Sequence, residues 1–246
     1  MEIDLKKINL HFQRFEFKYQ MPKALVEGVI PALLKHMVWD PYVRDKEQKY
    51  YHVNSLYYDN AGFACYWEKE AGLKRRKKLR LRFYDDILKP ESKVFAEIKR
   101  KTDAVVIKDR AAMTYLDCQK LFLNNDFEVL KNLDKTSKDL LEEFLWLKYY
   151  NCLMPQYMVS YKRTPLISKF DSDIRVTLDS EIKAYKASWL DKKLGFITDV
   201  YPQTTIMEIK YNNVLPQWLH QIIQQCQLER EPFSKYCNSV LAANRY

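Results

Sequence analysis

The stretch Lys78-Leu79-Arg80-Leu81-Arg82-Phe83-Tyr84 alternates between basic and apolar residues. Successive side chains of a β-strand point to opposite faces of a sheet, so this period of two predicts a strand with one basic and one apolar face. Further stretches alternate in the same way, at residues 15–19, 52–58, 94–99, 105–110, 156–163, 174–179 and 205–211. About eight strands result, which is enough to close an antiparallel barrel.

Helical spacing of apolar residues occurs in four other stretches, at residues 22–37, 136–150, 215–226 and from Ser234 to about Arg245. Amphipathic helices need an apolar surface to cover, and the apolar faces of the strands can supply it. We therefore expect an α+β fold, an eight-stranded antiparallel β tunnel with flanking helices. No repeat, low-complexity run or long linker marks a boundary, so we expect a single domain over residues 1–246.

The composition combines an excess of basic residues with a shortage of glycine. The 246 residues include 41 Lys and Arg against 32 Asp and Glu, a formal net charge of +9. The four glycines, at positions 28, 62, 72 and 195, lie too far apart for a G-x-G-x-x-G turn or a G-x-x-x-x-G-K-[ST] loop. The charge favours an anionic partner. Any phosphate site must therefore be built from side chains.

The cysteines and the hydropathy of the sequence indicate in which cellular compartment the protein is expected. The five cysteines are odd in number and include no C-x-x-C pair, which is typical of free thiols and argues against a zinc site. No apolar stretch approaches the ~18 residues of a membrane-spanning helix, so we expect no membrane span in this chain. The sequence therefore predicts a cytoplasmic protein.

The charged faces of the strands repeat one pattern, glutamate-x-lysine, at Glu16/Lys18, Glu97/Lys99 and Glu208/Lys210. In one arrangement these faces point to solvent and the apolar side chains fill the barrel. In the other, the charges line a wet interior and the apolar faces carry the helices. Solvated faces have no reason to repeat one acid–base pattern on three strands, so we favour a closed barrel with a charged interior.

Such an interior would need an anion to offset its charge. The charged faces hold three glutamates and nine basic residues, which are Lys18, Arg80, Arg82, Lys99, Lys108, Arg110, Arg163, Arg175 and Lys210. A triphosphate suits a narrow basic tunnel. The glutamates are hard oxygen ligands for Mg²⁺ or Mn²⁺ bridging phosphate oxygens.

At these residues the sequence resembles a known family, the VTC domain. The resemblance spans roughly residues 12–241 and rests on F-E-F-K-Y (15–19), S-L-Y-Y-D (55–59), L-R-L-R-F-Y (79–84), F-A-E-I-K-R-K (95–101), I-K-D-R (107–110), S-Y-K-R-T (160–164), I-R-V-T-L-D (174–179), M-E-I-K-Y (207–211) and F-S-K-Y (233–236). Members are polyphosphate polymerases of the vacuolar transporter chaperone type, within the triphosphate tunnel metalloenzyme (CYTH-like) superfamily.

The resemblance implies transfer of the γ-phosphate of ATP to a growing inorganic polyphosphate chain, with a divalent metal, Mn²⁺ or Mg²⁺, as cofactor. It implies catalytic roles for Arg80, Arg82, Lys99, Arg163, Arg175, Lys210 and Tyr161. It implies phosphate binding by Lys18, Lys108, Arg110, Ser234 and Lys235. The implied metal ligands are Glu208, Glu97 and Glu16. Expected partners are ATP and polyphosphate or pyrophosphate, without nucleic acid.

One position departs from the family pattern, and other functions stay open. Pro232 stands where many eukaryotic members have a lysine, with Arg230 as the nearby replacement. A hydrolase of triphosphates would share nearly every site residue, and a non-catalytic polyphosphate-binding module would need no metal. The basic run Lys74–Lys78 is the best support for nucleic-acid binding. It also suits a solvated loop or a funnel that feeds polyphosphate to a tunnel mouth.

Overall fold

The computed structural model describes residues 14–103, 105–170, 173–212 and 214–243. The strands are β1 (Arg14–Pro22), β2 (Met37–Trp39), β3 (Tyr51–Asp59), β4 (Arg75–Phe83), β5 (Lys93–Thr102), β6 (Val105–Thr114), β7 (Met154–Ser168), β8 (Arg175–Trp189), β9 (Lys192–Asp199) and β10 (Thr204–Asn212). The helices are α1 (Val26–Leu34), α2 (Pro41–Arg44), α3 (Ala64–Glu70), α4 (Tyr115–Leu123), α5 (Lys135–Tyr150), α6 (Gln217–Gln225) and α7 (Lys235–Ala243). Short 3₁₀ turns cover Lys23–Leu25 and Phe127–Asn132.

Every alternating stretch forms a strand, and the α+β class is confirmed. The strand order is β1-β10-β8-β7-β3-β4-β5-β6, with β2 beside β7 and β9 beside β8. The closed eight-stranded barrel is not supported: ten strands form the sheet, and in the described residues no pairing joins β6 back to β1. Alternation determines which side chains share a face, whereas closure depends on strand tilt and stagger, which alternation does not encode.

The chain divides into two compact units. The first unit takes its described residues from Met1–Tyr51, Arg163–Ser180 and Gln203–Phe233. The second takes them from His52–Lys162, Glu181–Pro202 and Ser234–Tyr246. The long strands β7 and β8 contribute residues to both. A single domain over residues 1–246 remains a prediction.

The core of the first unit lies between helices and the apolar faces of strands. Met207, Ile209 and Val176 are fully buried, together with Leu33 of α1 and Leu219 of α6. The alternate residues of the same strands carry the charges. This bears out the expectation that the apolar strand faces support the helices, and burial of these residues stabilises the unit by about 25 cal/mol per Å² of apolar surface.

The second unit is built on the pairing of β3, β4, β5 and β6. Leu79, Leu81 and Ile98 are buried on the apolar face of these strands, and α4 and α5 contact β5 and β6. Helix α5 begins after Asp134, whose side chain accepts a hydrogen bond from the Ser137 N–H, and its apolar residues are buried as the spacing predicts.

Helix boundaries differ from expectation mainly where proline intervenes. The stretch 22–37 forms a 3₁₀ turn and then α1, which contains Pro31. The last helix begins at Lys235, after Ser234, whose Oγ accepts a hydrogen bond from the Cys237 N–H at 3.3 Å. Its predicted end near Arg245 lies outside the described residues. Across the described part of the chain, no helix combines the length and hydropathy needed to span a bilayer.

Candidate functional site

Four neighbouring strands of the second unit bring charged side chains together on one face. Directly paired residues of an antiparallel sheet share a face, and Tyr57 of β3, Arg80 of β4 and Glu97 of β5 are paired in one row. Arg80 Nε donates to Glu97 Oε2 at 2.5 Å, and Arg80 Nη1 donates to the Tyr57 hydroxyl at 2.9 Å. Lys108 Nζ of β6 lies 2.6 Å from Glu97 Oε1. We call these residues, with Arg82, the Arg80 cluster.

Three cations surround the single carboxylate of this cluster. The Glu97 side chain is 1% exposed, and Arg82 Nε lies 3.9 Å from its Oε2. Burial by itself would raise the pKa of Glu97, but Arg80, Arg82 and Lys108 outweigh it and lower the pKa to about 2. The cluster therefore keeps an excess of positive charge in a buried position, which a bound anion would offset.

Two further groups of the cluster have pKa values shifted towards neutrality. Burial and the neighbouring Arg80 lower the pKa of Lys108 to about 7, although Glu97 acts in the opposite direction. Burial raises the pKa of Tyr57, but the charges of Arg80 and Arg82 outweigh it and bring the pKa to about 8. Perturbed values of this kind are typical of functional sites.

Arg82 extends the cluster towards β7 and α7. Its Nε donates to Ser55 Oγ at 3.0 Å, and its Nη2 lies 3.5 Å from the Tyr161 hydroxyl. Lys235 Nζ lies 4.7 Å from the centroid of the Tyr161 ring, a cation–π contact. The structure thus brings Tyr161 and Lys235 to the Arg80 cluster, as the sequence predicts.

A buried tyrosine holds the start of α7 in place. The Tyr236 hydroxyl donates to Asp59 Oδ2 at 2.6 Å, and the Tyr236 ring stacks on Tyr57 with centroids 5.1 Å apart. Asp59 also accepts the backbone N–H groups of Cys65 and Tyr66 at the start of α3. The carboxylate of Asp59 therefore ties two helices to β3, beside Lys235.

The first unit contains a second group of charges, which we call the Glu208 cluster. The pairing of β1 with β10 places Lys18 opposite Glu208 and Glu16 opposite Lys210. Lys18 Nζ lies 3.0 Å from Glu16 Oε1 and 3.8 Å from Glu208 Oε2. Lys210 Nζ lies 2.8 Å from Glu208 Oε1 and 3.9 Å from Glu16 Oε2. Two carboxylates thus share two ammonium groups.

Two predicted arginines of the first unit are held by aspartates. Arg163 makes a bidentate pair with Asp179, through Nε at 2.6 Å and Nη2 at 2.7 Å. Arg175 Nη2 lies 3.1 Å from Asp40 Oδ2, and Asp40 also caps α2 by accepting the Tyr42 N–H. The bidentate pair fixes the plane of the Arg163 guanidinium, whereas Arg175 meets its aspartate through Nη2.

The chemistry of the donor groups distinguishes the three glutamates as metal ligands. Mg²⁺ is usually held by one or two carboxylates together with substrate phosphates, and Glu16 and Glu208 offer such a pair. Glu97 does not fit, because its one carboxylate is outnumbered by three cations, and their excess positive charge would repel a divalent ion. Around Glu16 and Glu208, two carboxylates balance two lysines. Within the described ranges, no group of three or more His, Cys, Asp or Glu residues could hold a metal.

The remaining predicted residues lie outside the two clusters. The Arg110 guanidinium lies 5.0 Å from the Phe95 ring centroid, and Lys99 is paired with Lys108. Arg230 does not take the place of the lysine absent at Pro232: its guanidinium lies 3.6 Å from the ring centroid of Phe17, on the face of β1 opposite Lys18.

Sequence reasoning missed several partners of the site, namely Tyr57, Asp59, Tyr236, Asp179 and Asp40. A signal for two of them was present: Ser55, Tyr57 and Asp59 are the alternate residues of β3 and therefore share a face. Asp179 meets Arg163 across two neighbouring strands, and Asp40 meets Arg175 from the residue before α2. Local alternation encodes neither contact.

The model of the VTC domain family matches residues 13–244, while no curated protein matches the chain. Among solved structures, a candidate adenylate cyclase from Bacillus halodurans is similar with a TM-score of 0.46 and 11% identity, over 90% of this chain and 95% of that one. Because the family model covers nearly the whole chain, the protein belongs to the VTC domain family.

Proposed function

We propose that this protein is a polyphosphate polymerase, which transfers the γ-phosphate of ATP to the end of an inorganic polyphosphate chain. Membership of the VTC domain family supports the class of substrate. The observation that carries the proposal is the Arg80 cluster, in which three cations surround one buried carboxylate. A triphosphate supplies the negative charge that this cluster needs.

Phosphoryl transfer demands little covalent chemistry from a protein. The reaction is accelerated mainly by holding donor and acceptor in line and by neutralising the charge that spreads over the transferred group. Arg80 and Arg82 are positioned by Glu97, Tyr57 and Ser55, so their donors are oriented before the substrate binds. No side-chain nucleophile is needed, because the acceptor is itself a phosphate.

The proposed metal ligands are Glu208 and Glu16. A divalent ion bound there would neutralise phosphate oxygens as a Lewis acid. Lys18 and Lys210, which contact both carboxylates, would then be available to phosphate oxygens. Glu97 is proposed to position Arg80 and Lys108 and not to bind the metal. The five free cysteines support a reducing compartment, such as the cytoplasm, as the place of this reaction.

The direct test incubates the purified protein with ATP and Mn²⁺ and separates the products on a gel that resolves polyphosphate lengths. A polymerase gives a series of bands that depends on both ATP and metal. Arg80→Ala is expected to abolish the series. Arg75→Ala removes an exposed arginine from the opposite face of the same strand and is expected to leave it intact.

Two other results of this assay would favour a different function. Release of orthophosphate without polyphosphate bands would favour a tunnel-type hydrolase, in which water takes the place of the acceptor phosphate. Tight binding of polyphosphate without ATP turnover would favour a non-catalytic binding module. Glu208→Gln separates an enzyme from a binding module. The change should stop ATP turnover by a polymerase or a hydrolase, and it should leave the polyphosphate affinity of a non-catalytic module unaffected.

A further inference from the structure

The basic character of β4, β5 and β6 continues beyond the Arg80 cluster towards one end of the strands. Two residues along each strand from the row of Arg80 and Glu97, Lys78, Lys99 and Lys108 are paired across the three strands. Two residues further, Arg76 is paired with Lys101. Paired residues share a face. We call this set the cationic track, and its members on the cluster's face are Arg76, Lys78, Arg80, Arg82, Lys99, Lys101, Lys108 and Arg110.

On the opposite face of the same strands, basic residues are paired with carboxylates. Lys77 Nζ lies 3.1 Å from Glu143 of α5, and Arg100 pairs with both Asp109 and Glu143. On the face of the track, by contrast, Glu97 is the one carboxylate contributed by β4, β5 and β6 in the paired stretches 75–82, 93–102 and 105–114. The concentration of positive charge is therefore a property of one face.

Arg76 and Lys78 contact backbone carbonyl groups, a sulfur atom and an aromatic ring. Arg76 Nη1 lies 3.5 Å from the carbonyl oxygens of Glu68 and Lys69, at the outer limit of a hydrogen bond. Lys78 Nζ lies 3.0 Å from Cys237 Sγ and 5.1 Å from the Tyr236 ring centroid. The nearby acid is Glu68, whose pKa is raised by burial although Lys78 and Arg76 lower it.

The length of the track exceeds what a triphosphate on the Arg80 cluster would need. Four residues separate Arg80 from Arg76, a distance of about 14 Å along an antiparallel strand. The two outer pairs are half-buried, and their members are Arg76 with Lys101 and Lys78 with Lys99. They form a regular row of phosphate-binding groups leading away from the cluster.

We propose that Arg76 and Lys101 form a distal subsite for linear polyphosphate, binding phosphates beyond those held by Arg80 and Arg82. The subsite gives the protein a preference for long chains over tripolyphosphate. The proposal rests on the proposed function for the identity of the chain, but binding to the subsite does not require turnover. Arg76 and Lys101 act only on ligands long enough to reach them.

The test measures equilibrium affinity, without ATP or metal, for tripolyphosphate and for a size-fractionated linear polyphosphate long enough to cover the track. The double variant Arg76→Gln with Lys101→Gln is compared with Arg75→Gln with Lys77→Gln. The control removes the same charge from the same end of the sheet, on its other face. Thermal unfolding of both variants verifies that they are folded.

The distal variant is expected to bind the long chain about tenfold more weakly and tripolyphosphate within about twofold of the unmodified protein, because two charge-assisted contacts are lost to the long chain alone. The control should change neither affinity beyond about twofold. Equal weakening by both variants, or equal weakening for both ligands, would overturn the subsite. If the polymerase assay gives no product while the distal variant still loses affinity for the long chain alone, that combination would overturn the proposed reaction and support the distal subsite.

Discussion

Glu97 organises the Arg80 cluster from the centre of its charged groups. Its two oxygens contact Arg80 and Lys108, and Arg82 lies close by. The sequence placed it in an E-x-K repeat with Glu16 and Glu208, which suggested one role for all three. Its surroundings differ, because it faces three cations, whereas Glu16 and Glu208 share two lysines.

Replacing Glu97 by glutamine tests whether it positions cations or binds metal. The change removes the buried counter-charge of Arg82, of the half-buried Arg80 and of the partly exposed Lys108. We therefore expect a loss of about 3–5 kcal/mol in the free energy of unfolding. Urea unfolding measures this. Calorimetric Mn²⁺ affinity should be retained in Glu97→Gln under conditions where it is folded, and lost in Glu208→Gln. A stable Glu97→Gln protein that no longer binds Mn²⁺ would contradict the positioning role.

We predict that Lys108 makes the affinity for a polyanion depend on pH near neutrality. Its pKa is lowered to about 7, so its ammonium is charged below that pH and loses its proton above it. The attraction for a polyanion from this residue is therefore present at about pH 6 and largely absent at about pH 8. A bound phosphate would raise the pKa again, so binding at about pH 7.5 should take up a proton.

Titration calorimetry in buffers of different ionisation enthalpy measures that proton uptake for tripolyphosphate. Lys108→Arg keeps its charge throughout this range, so the variant provides the control, because it cancels the titration of the ligand itself. We expect the unmodified protein to take up more protons than Lys108→Arg. Equal uptake by the two proteins would show that Lys108 does not titrate on binding.

At the scale of elements, the position of α7 depends on a hydrogen bond from Tyr236 to Asp59. The helix carries Lys235 to the Tyr161 ring, and it also contacts Lys78 through Cys237. Loss of the Tyr236 hydroxyl would leave a buried carboxylate with one donor fewer. The helix would then hold Lys235 less firmly, although no contact with a phosphate group is removed.

Tyr236→Phe is expected to lower the free energy of unfolding by about 1.5–3 kcal/mol, the range for a hydrogen bond to a charged group. It should also weaken tripolyphosphate binding, by less than Lys235→Ala does. Tyr58→Phe, which removes a hydroxyl from the other face of β3, serves as the comparison for both measurements. If Tyr236→Phe were destabilised while its affinity stayed unchanged, Tyr236 would support the fold alone.

Alternation predicted the strands and the shared faces of their side chains well, because both follow from the local period of two. The short strand β2 and the exposed strand β9 were missed, since three residues show no period and β9 has no buried face. The Arg163–Asp179 pair was missed for another reason. Both residues lie in predicted strands, but the pair forms across neighbouring strands, and register is a long-range property.

At the scale of the whole molecule, the scarcity of glycine and the net charge of +9 have a common explanation. If the arginine and lysine side chains on paired strands bind the phosphates, as we propose, no glycine-lined backbone loop is required. The expectation of a closed barrel was wrong in the described pairing. On the charged strand faces Glu97, Arg82 and Glu208 are buried, so at these positions the charges do not lie on an open surface.

The most direct test of the central claim is a crystal structure of the protein with Mn²⁺ and tripolyphosphate, using the anomalous signal of manganese. We predict phosphates in contact with Arg80 and Arg82, and a manganese peak beside Glu208 and Glu16. We also predict that Glu97 keeps its contacts with Arg80 and Lys108. Phosphates bound away from the Arg80 cluster, or manganese bound to Glu97, would contradict these predictions.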